Sequence, residues 1–171
     1  MKSFKNFGAD LEAQSVALEE SSLSRIYDHT KNRNIGIITA NRDSNPPDVN
    51  LGLNRKLESH IRDAGYGYIH LDGDYVENHG TPEARRVGGE RAYLVIGKEG
   101  NDDGALKGFL RKHGEAFDQD SVLHKAAGEK DAKLIGTTRF EDHSPKPGDW
   151  NPPKYHQEVS VGEYHPNRAA E

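Results

Sequence analysis

RAYLVIG, residues 91–97, is the clearest strand signal in this chain, because apolar and β-branched residues dominate the run and Gly97 ends it. A second run, IGIITA at residues 35–40, has the same character and is bounded by polar residues. We interpret both runs as buried strands. Together they predict a sheet at the core of a single domain, which fits a chain of 171 residues.

A helical repeat of apolar residues follows each of these strands. After the break at Pro46 and Pro47, Asp48 can cap a helix that Gly65 ends. Its apolar residues are Leu53, Leu57, Ile61 and Ala64. A second amphipathic helix is predicted to begin after a cap at Asp102 or Asp103 and to end near Gly114.

The remaining strand signals complete the order of elements. Residues 66–71 and 75–77 look like one strand interrupted by a turn at 72–74, and a polar, glycine-rich loop over 78–89 follows. Residues 121–126 and 132–137 read as two strands joined by a turn at 128–131. The order is therefore β-α-β-β-α-β plus one extra strand.

This order predicts an α+β fold of the split β-α-β, ferredoxin-like type, with an antiparallel sheet and both helices on one face. We expect one α/β domain over residues 21–138, preceded by a possible leader helix over 1–20. Residues 139–171 contain five prolines and few apolar residues, which is typical of an extended tail. Trp150 and Tyr155 could pin that tail to the domain.

Composition restricts the classes of partner. The formal charge is -5, so the chain has no basic excess for sequence-independent binding of nucleic acid or anionic membranes. A small basic patch that contacts nucleic acid stays open but is not favoured. The chain has no cysteine, which excludes disulfides and thiolate chemistry. No apolar run is long enough to span a membrane, so we expect a soluble, intracellularly made protein.

The N-terminal sequence MKSFKNF is followed by an amphipathic stretch and by Leu18-Glu19-Glu20 before Ser21. This segment resembles the capsid-targeting propeptides of T-even-type tailed phages, in which a prohead protease cuts after a Leu/Ile-x-Glu motif. The resemblance implies a cut after Glu20, a product that begins at Ser21, and a location in the capsid interior. The alternative is an ordinary N-terminal helix that docks on the domain or frays.

Four short motifs carry a second resemblance, which spans roughly residues 35–137. They are Ile38-Thr39-Ala40, the pair Asn54 and Leu57, Glu90-x-x-Tyr93-Leu94-Val95, and Phe117-x-Gln119-Asp120-Ser121-Val122-Leu123. In these motifs the chain is similar to an uncharacterised domain-of-unknown-function family of bacteria and tailed phages. The resemblance implies a compact α/β domain and supplies no reaction.

Polar residues flank the predicted strands where the strand order 4-1-3-2 brings the strand ends to one edge. The residues that we single out as candidate ligand-binding groups are Arg42, Asn54, Arg85, Glu90, Gln119, Asp120 and Ser121. One interpretation is an open cleft that binds an anionic or nucleotide-like ligand through arginine and amide groups. The other is a closed network in which these residues satisfy one another.

Other chemistry has weaker support in the sequence. The nine histidines show no H-x-x-H or H-x-x-x-H pair, and the best local set, His70 with Asp72 and Asp74, is more typical of a turn. Ser121 and His124 are three residues apart in a strand, which puts them on opposite faces. We therefore assign no catalytic residue, no metal and no cofactor.

These observations favour a phage-encoded accessory protein that acts by binding, either packaged in the virion or directed at a host protein. A nucleotide-binding domain or enzyme that uses the sheet-end cleft is the main alternative. A structural component of the virion is the third. In the first and third cases the partner is another protein, and no membrane is expected.

Overall fold

The computed structural model describes residues 31–77, 82–98, 102–138 and 153–163. Six strands lie in these ranges: β1 (Ile35–Ile38), β2 (Gly67–Glu77), β3 (Arg85–Ile96), β4 (Ser121–Lys125), β5 (Asp131–Gly136) and β6 (Glu158–Glu163). The two helices bounded within them are α1 (Pro47–Asp63) and α2 (Ala105–Ala116). The predicted leader helix, its cleavage motif Leu18, Glu20 and Ser21, and Trp150 lie outside the described residues.

All six strands form one sheet in the order β2-β3-β1-β4-β5-β6, and every neighbouring pair is antiparallel. The first four strands have the predicted 4-1-3-2 order, and β5 is the predicted extra strand beside β4. Both helices pack on the same face of this sheet. The α+β fold predicted from the order of elements is confirmed.

The β2–β3 hairpin is longer than the sequence indicated. Instead of a turn at residues 72–74, β2 continues to Glu77 with a register shift between Gly73 and Tyr75. A bulge of this kind absorbs one extra residue without ending the strand. The connecting loop is therefore shorter than the expected 78–89. The residues from Arg85 onward belong to β3, and Arg85 pairs with Glu77 at the end of β2.

The helix ends follow from local chemistry. Pro46 occupies the N-cap position of α1, so Asp48 lies in the first turn and is not the cap. At α2 the N-cap position is Gly104 rather than Asp102 or Asp103, although the Asp102 carboxylate accepts the backbone N–H groups of Gly104 at 2.9 Å and Leu106 at 3.1 Å. Gly114 lies inside α2 rather than after it.

The proline-rich segment supplies the outermost strand. Tyr155 bridges to Gly136 at the end of β5, and its hydroxyl hydrogen-bonds to the Glu115 carboxylate on α2 at 3.1 Å. Gly136 also exchanges backbone hydrogen bonds with His156 and Gln157, both at 2.9 Å. Tyr155 therefore pins this segment, as the sequence suggested, and β6 extends the sheet beyond β5.

Alternation along the strands divides the buried side chains between the two faces of the sheet. The helix-covered face contains Ile38, Ala40, Tyr93, Val95, Val122 and Ile135, packed against Leu57, Ile61, Leu106 and Leu110 of the helices. The opposite face contains Ile35, Ile37, Leu71, Ala92, Leu94, Leu123 and Ala132. Any polar side chain can be assigned to a face by its position relative to these residues.

Candidate functional sites

Four of the predicted site residues lie with Asn41 at the end of the sheet where β1 stops, and we call this set the sheet-end row: Arg42, Asn54, Glu90 and Gln119. Extending the β1–β3 register past Ile38↔Tyr93 places Asn41 opposite Glu90. Extending the β1–β4 register past Ile37↔Leu123 places Asn41 opposite Gln119 as well. The Gln119 side-chain amide donates to the Asn41 carbonyl oxygen at 3.1 Å, which fits this placement. The strand order therefore brings these residues into one row.

Asn54 holds the start of α1 against the end of β1. Its Oδ1 accepts the backbone N–H of Ala40 at 3.2 Å, and its Nδ2 donates to the Asn50 carbonyl at 3.0 Å and to Asn41 Oδ1. The Asn54 residue is only 2% exposed. Its donors and its acceptor are thus engaged inside the protein, which is typical of a structural side chain.

Arg42 connects the β1–α1 loop to the end of α2. Its guanidinium donates to the carbonyl oxygen of Asp118, just past the helix C-terminus, where a cation is favourable. Its backbone is fixed by Asn50, which accepts the Arg42 N–H at 3.0 Å and donates to the Arg42 carbonyl at 2.9 Å. Arg42 therefore has a structural partner at both its side chain and its backbone.

Gln119 has a similar role on the other side of the row. Besides Asn41, its side-chain amide donates to the Phe117 carbonyl at 3.0 Å, and the Thr137 hydroxyl donates to the Gln119 carbonyl at 2.5 Å. These bonds join the loop before β4 to the end of β5. The polar groups of this part of the row are satisfied by one another.

Glu90 is separated from that network by the sheet itself. It lies two and four residues from Ala92 and Leu94, so alternation places its side chain on the face opposite α1 and α2. Burial raises the pKa of the Glu90 carboxyl, and the nearby carboxylate of Asp43 raises it further. Glu90 and Asn54 therefore do not line one cleft, although they lie at the same end of the sheet.

Of the last three predicted site residues, Asp120 and Ser121 follow Gln119 at the same end of the sheet, whereas Arg85 lies elsewhere. Asp120 is exposed, and its carbonyl accepts the backbone N–H of Thr137 at 3.0 Å, while Ser121 begins β4. Arg85 begins β3 five residues before Glu90, which is about 17 Å along an extended strand. The backbone of Arg85 consequently lies in the distal part of the β2–β3 hairpin, away from the row.

A polar cluster that the sequence analysis did not identify lies on the helix-covered face over β2 and β3. We call it the Glu58 cluster, and it consists of Glu58, Arg62, Tyr68, His70 and Tyr93. Glu58 and Arg62 are one helical turn apart on α1, whereas Tyr68 and His70 pair with Val95 and Tyr93 in the β2–β3 ladder. The helix thus carries a carboxylate across a set of aromatic side chains.

Both oxygens of the Glu58 carboxylate are held by neighbours. Oε1 accepts the Tyr68 hydroxyl at 2.8 Å and pairs with Arg62 Nη2 at 3.0 Å. Oε2 accepts the Tyr93 hydroxyl at 3.3 Å and lies 3.7 Å from His70 Nε2. Four side chains from three elements therefore fix the orientation of one carboxylate.

The electrostatics of the cluster favour an ionised carboxylate. The hydrogen bond from Tyr68, followed by the charges of its neighbours, holds the pKa of Glu58 below its usual value despite some desolvation. Burial, and then the charge of Glu58, raises the pKa of Tyr93 to about 12. The same hydrogen bond raises the pKa of Tyr68. At neutral pH both tyrosines are donors and Glu58 is the acceptor.

A signal for this cluster was present in the sequence. Asn54, Glu58 and Arg62 recur every four residues, which puts polar groups in line along a helix whose neighbouring stripe is apolar. Tyr68 and His70 alternate on β2 and therefore share a face. The helical spacing, the strand alternation and the predicted strand order together would have predicted that these side chains lie close to one another.

The outer edge of β6 is the other distinctive surface. This strand is last in the sheet order, so one row of its backbone N–H and C=O groups has no strand partner among the described residues. Val159 and Val161 are 48% and 49% exposed, and they are two of the four exposed large apolar residues in that part of the chain. Ion pairs also connect this strand to α2 and β5, because Glu158 pairs with Lys107 and lies 3.9 Å from Lys133.

Among the described residues, no three histidine, aspartate or glutamate side chains are grouped so that they could hold a metal ion. Within the same ranges no helix is long and apolar enough to cross a bilayer.

Comparisons with known proteins give little. No protein-family model matches the sequence, and no curated protein matches it. A solved structure of a phage SAM lyase in complex with S-methyl-5'-thioadenosine is 11% identical to this chain. The likeness covers 76% of this chain and 88% of that one, with a TM-score of 0.37. A score this low supports no argument about what this protein binds or does.

Proposed function

We propose that this protein acts by binding another protein, and that an extended segment of the partner adds to the outer edge of β6. The observation that carries this proposal is the strand β6, whose outer edge has no strand partner among the described residues and whose Val159 and Val161 are half exposed. An open strand edge offers backbone hydrogen bonds to an incoming chain, while alternating side chains supply the apolar contacts. Its anchoring by Lys107 and Tyr155 supports a preformed binding edge.

The hydrogen bonds of the sheet-end row support binding over catalysis. Asn54, Gln119 and Arg42 all have partners inside the protein. A catalytic or nucleotide site needs polar groups that can turn toward a ligand, and breaking these bonds would also release the β1–α1 and α2–β4 loops. The amide and guanidinium groups that could bind a nucleotide are thus engaged in stabilising the fold.

The biological setting that we propose is a tailed-phage infection. In this proposal the protein is an accessory factor made in the bacterial cytoplasm, and it is either packaged in the capsid interior or directed at a host protein. The support is the N-terminal resemblance to capsid-targeting propeptides, with cleavage after Glu20. A structural role in the virion is the variant in which the β6 partner is itself a virion protein.

Intact-mass measurement of the protein from purified particles tests this setting. A mass that corresponds to residues 21–171 is the expected result. A full-length mass in particles would contradict cleavage, and absence from particles would contradict packaging and leave the host-directed variant.

Site-specific photocrosslinking tests the β6 edge. A photoreactive residue at position 159 is expected to crosslink a distinct partner in extracts of infected cells or in particles. The matched control places the same residue at position 49 on α1, because Val49 is similarly exposed at 44%. Identical crosslinks from both positions, or none from position 159, would contradict the proposed edge.

A nucleotide or other anionic ligand at the sheet end stays a prediction. The feature in its favour is that Ser121, whose hydroxyl can donate a hydrogen bond to a phosphate oxygen, is only half-buried at that end. A thermal-shift titration with nucleotides tests it, and a stabilisation that disappears in Ser121→Ala is the expected result. No shift with any nucleotide would leave this alternative without support.

A further inference from the structure

The Glu58 carboxylate is oriented by tyrosine hydroxyls and already binds one guanidinium group, that of Arg62. Tyr68 donates its hydroxyl proton to it, and Tyr93 shares its single hydroxyl proton between it and the Asn54 carbonyl, so its orientation does not depend on any cation. The cation that does pair with it, Arg62, has a side chain that is 63% exposed, whereas the Glu58 side chain is 19% exposed. The tyrosines are therefore the fixed part of the site and Arg62 is the replaceable part.

We propose that the Glu58 cluster binds the guanidinium group of an external ligand, which takes the place of Arg62. An exposed ion pair between residues four apart on a helix is weak, so displacing Arg62 costs little. The carboxylate is ordered in advance, which removes an entropic cost that a flexible surface glutamate would impose on a ligand. This inference concerns a different surface from the β6 edge and does not depend on it.

The choice of a guanidinium follows from the shape of the site. Glu58 Oε1 lies beside Tyr68, whose ring meets those of His70 and Tyr93 edge-on, with centroids 5.6 and 5.9 Å apart. These rings are in contact, so a bulky cation cannot enter between them. A flat guanidinium can lie over an aromatic ring at the surface while donating to the carboxylate, which is the arrangement that this group favours.

The ligand is a free guanidinium compound or an arginine side chain on a partner protein, and the chemistry is the same for both. The probes are L-argininamide, its analogue L-citrullinamide, in which a neutral urea replaces the guanidinium, and a short arginine-containing peptide. Binding is followed by NMR shifts of the ring signals of Tyr68 and His70. Argininamide is expected to shift them in a saturable way, while citrullinamide is not. A peptide that binds more tightly than argininamide indicates a partner side chain, and equal affinities indicate a free cation.

Three variants separate a specific site from general attraction to an acidic protein. Glu58→Gln should abolish saturable binding. Arg62→Ala should bind argininamide about twofold more tightly, since the internal competitor is gone. Asp63→Asn, which removes one neighbouring negative charge on the same helix, should bind as the wild type does. The proposal is overturned if citrullinamide shifts the same signals, if Asp63→Asn loses as much affinity as Glu58→Gln, or if Arg62→Ala binds more weakly than wild type.

Discussion

The Tyr93 hydroxyl donates to the main-chain carbonyl of Asn54 at 3.1 Å and so joins the two polar regions of the helix-covered face. Through its side chain Asn54 organises the end of β1, and through Tyr93 its backbone is tied to the Glu58 carboxylate. Tyr93 is completely buried and lies on β3, one of the central strands. The sheet-end row and the Glu58 cluster are therefore coupled through one residue of α1.

Asn54→Ala should destabilise the protein substantially. The substitution leaves the buried N–H of Ala40 without an acceptor and releases Asn41 and Asn50, so we expect a loss of about 2 kcal/mol in the free energy of unfolding. Urea denaturation measures it. Asn45→Ala is the control, because Asn45 makes one side-chain bond of 3.3 Å to Asn50 and should change stability by less than about 0.5 kcal/mol. Equal losses in both variants would contradict the structural role assigned to Asn54.

Two glycine substitutions should have opposite effects. A Cβ on Gly36 would collide with the Leu110 side chain and would lie 3.0 Å from the Leu123 carbonyl oxygen, where α2 crosses β1. Gly36→Ala should therefore lower the free energy of unfolding by about 2 kcal/mol or more. Gly52 lies inside α1 with nothing within 4 Å of an added Cβ, so Gly52→Ala should raise it by about 0.5–1 kcal/mol. Thermal or urea denaturation of both variants checks the signs.

His113 should make stability depend on pH below neutrality. It is buried between α1 and α2, with the rings of Phe109 and His60 centred 4.3 and 4.8 Å away. Burial, helped by the nearby His60 and Lys112, lowers the pKa of His113 from 6.5 to about 4. As the pH falls, the unfolded chain protonates His113 before the folded chain does. The contribution of neutral His113 to the free energy of unfolding is therefore complete above about pH 6.5 and is lost as the pH falls toward 4. Urea denaturation between pH 7 and 4 should show a smaller decline in His113→Leu, and an unchanged decline would contradict this assignment.

Tyr93 should act in the opposite pH range. Because burial raises the pKa of its hydroxyl to about 12, the unfolded chain loses this proton at a lower pH than the folded chain does. The free energy of unfolding should consequently fall between about pH 10 and pH 12. Tyr93→Phe should flatten that decline and should cost about 1 kcal/mol at neutral pH, since the hydrogen bonds to Asn54 and Glu58 are lost. If wild type and variant decline equally, another group is responsible.

The fold was predictable because its signals are local and repeat with clear periods. Apolar runs identified β1 and the second half of β3, and chain order then determined the 4-1-3-2 arrangement. The β2–β3 hairpin was underestimated because Asp72, Gly73 and Asp74 are turn residues by composition, and only pairing with β3 keeps them in a strand. The strand order brings Asn54, Glu90 and Gln119 to one end of the sheet, but whether Asn54 faces a ligand or Ala40 depends on side-chain contacts that no sequence pattern reports.

The last prediction concerns how the proposed binding edge is held. A Cβ on Gly136 would collide with the carbonyl oxygens of Pro153 and Lys154, and main-chain atoms cannot move aside as a flexible side chain can. Gly136→Ala should therefore detach the segment that leads into β6 while the rest of the sheet remains. Hydrogen exchange should show faster exchange of the amides of residues 158–161, and crosslinking from position 159 should decline with it.

Gly108→Ala is the matched control for that experiment, because Gly108 lies on α2 with nothing within 4 Å of an added Cβ. It should leave both exchange and crosslinking as in the wild type. Unchanged protection of residues 158–161 in Gly136→Ala would show that the strand is held without the contact at Gly136. Faster exchange with undiminished crosslinking would instead show that the partner does not need an ordered β6, which contradicts a preformed edge. The two measurements thus separate the anchoring of the strand from its use in binding.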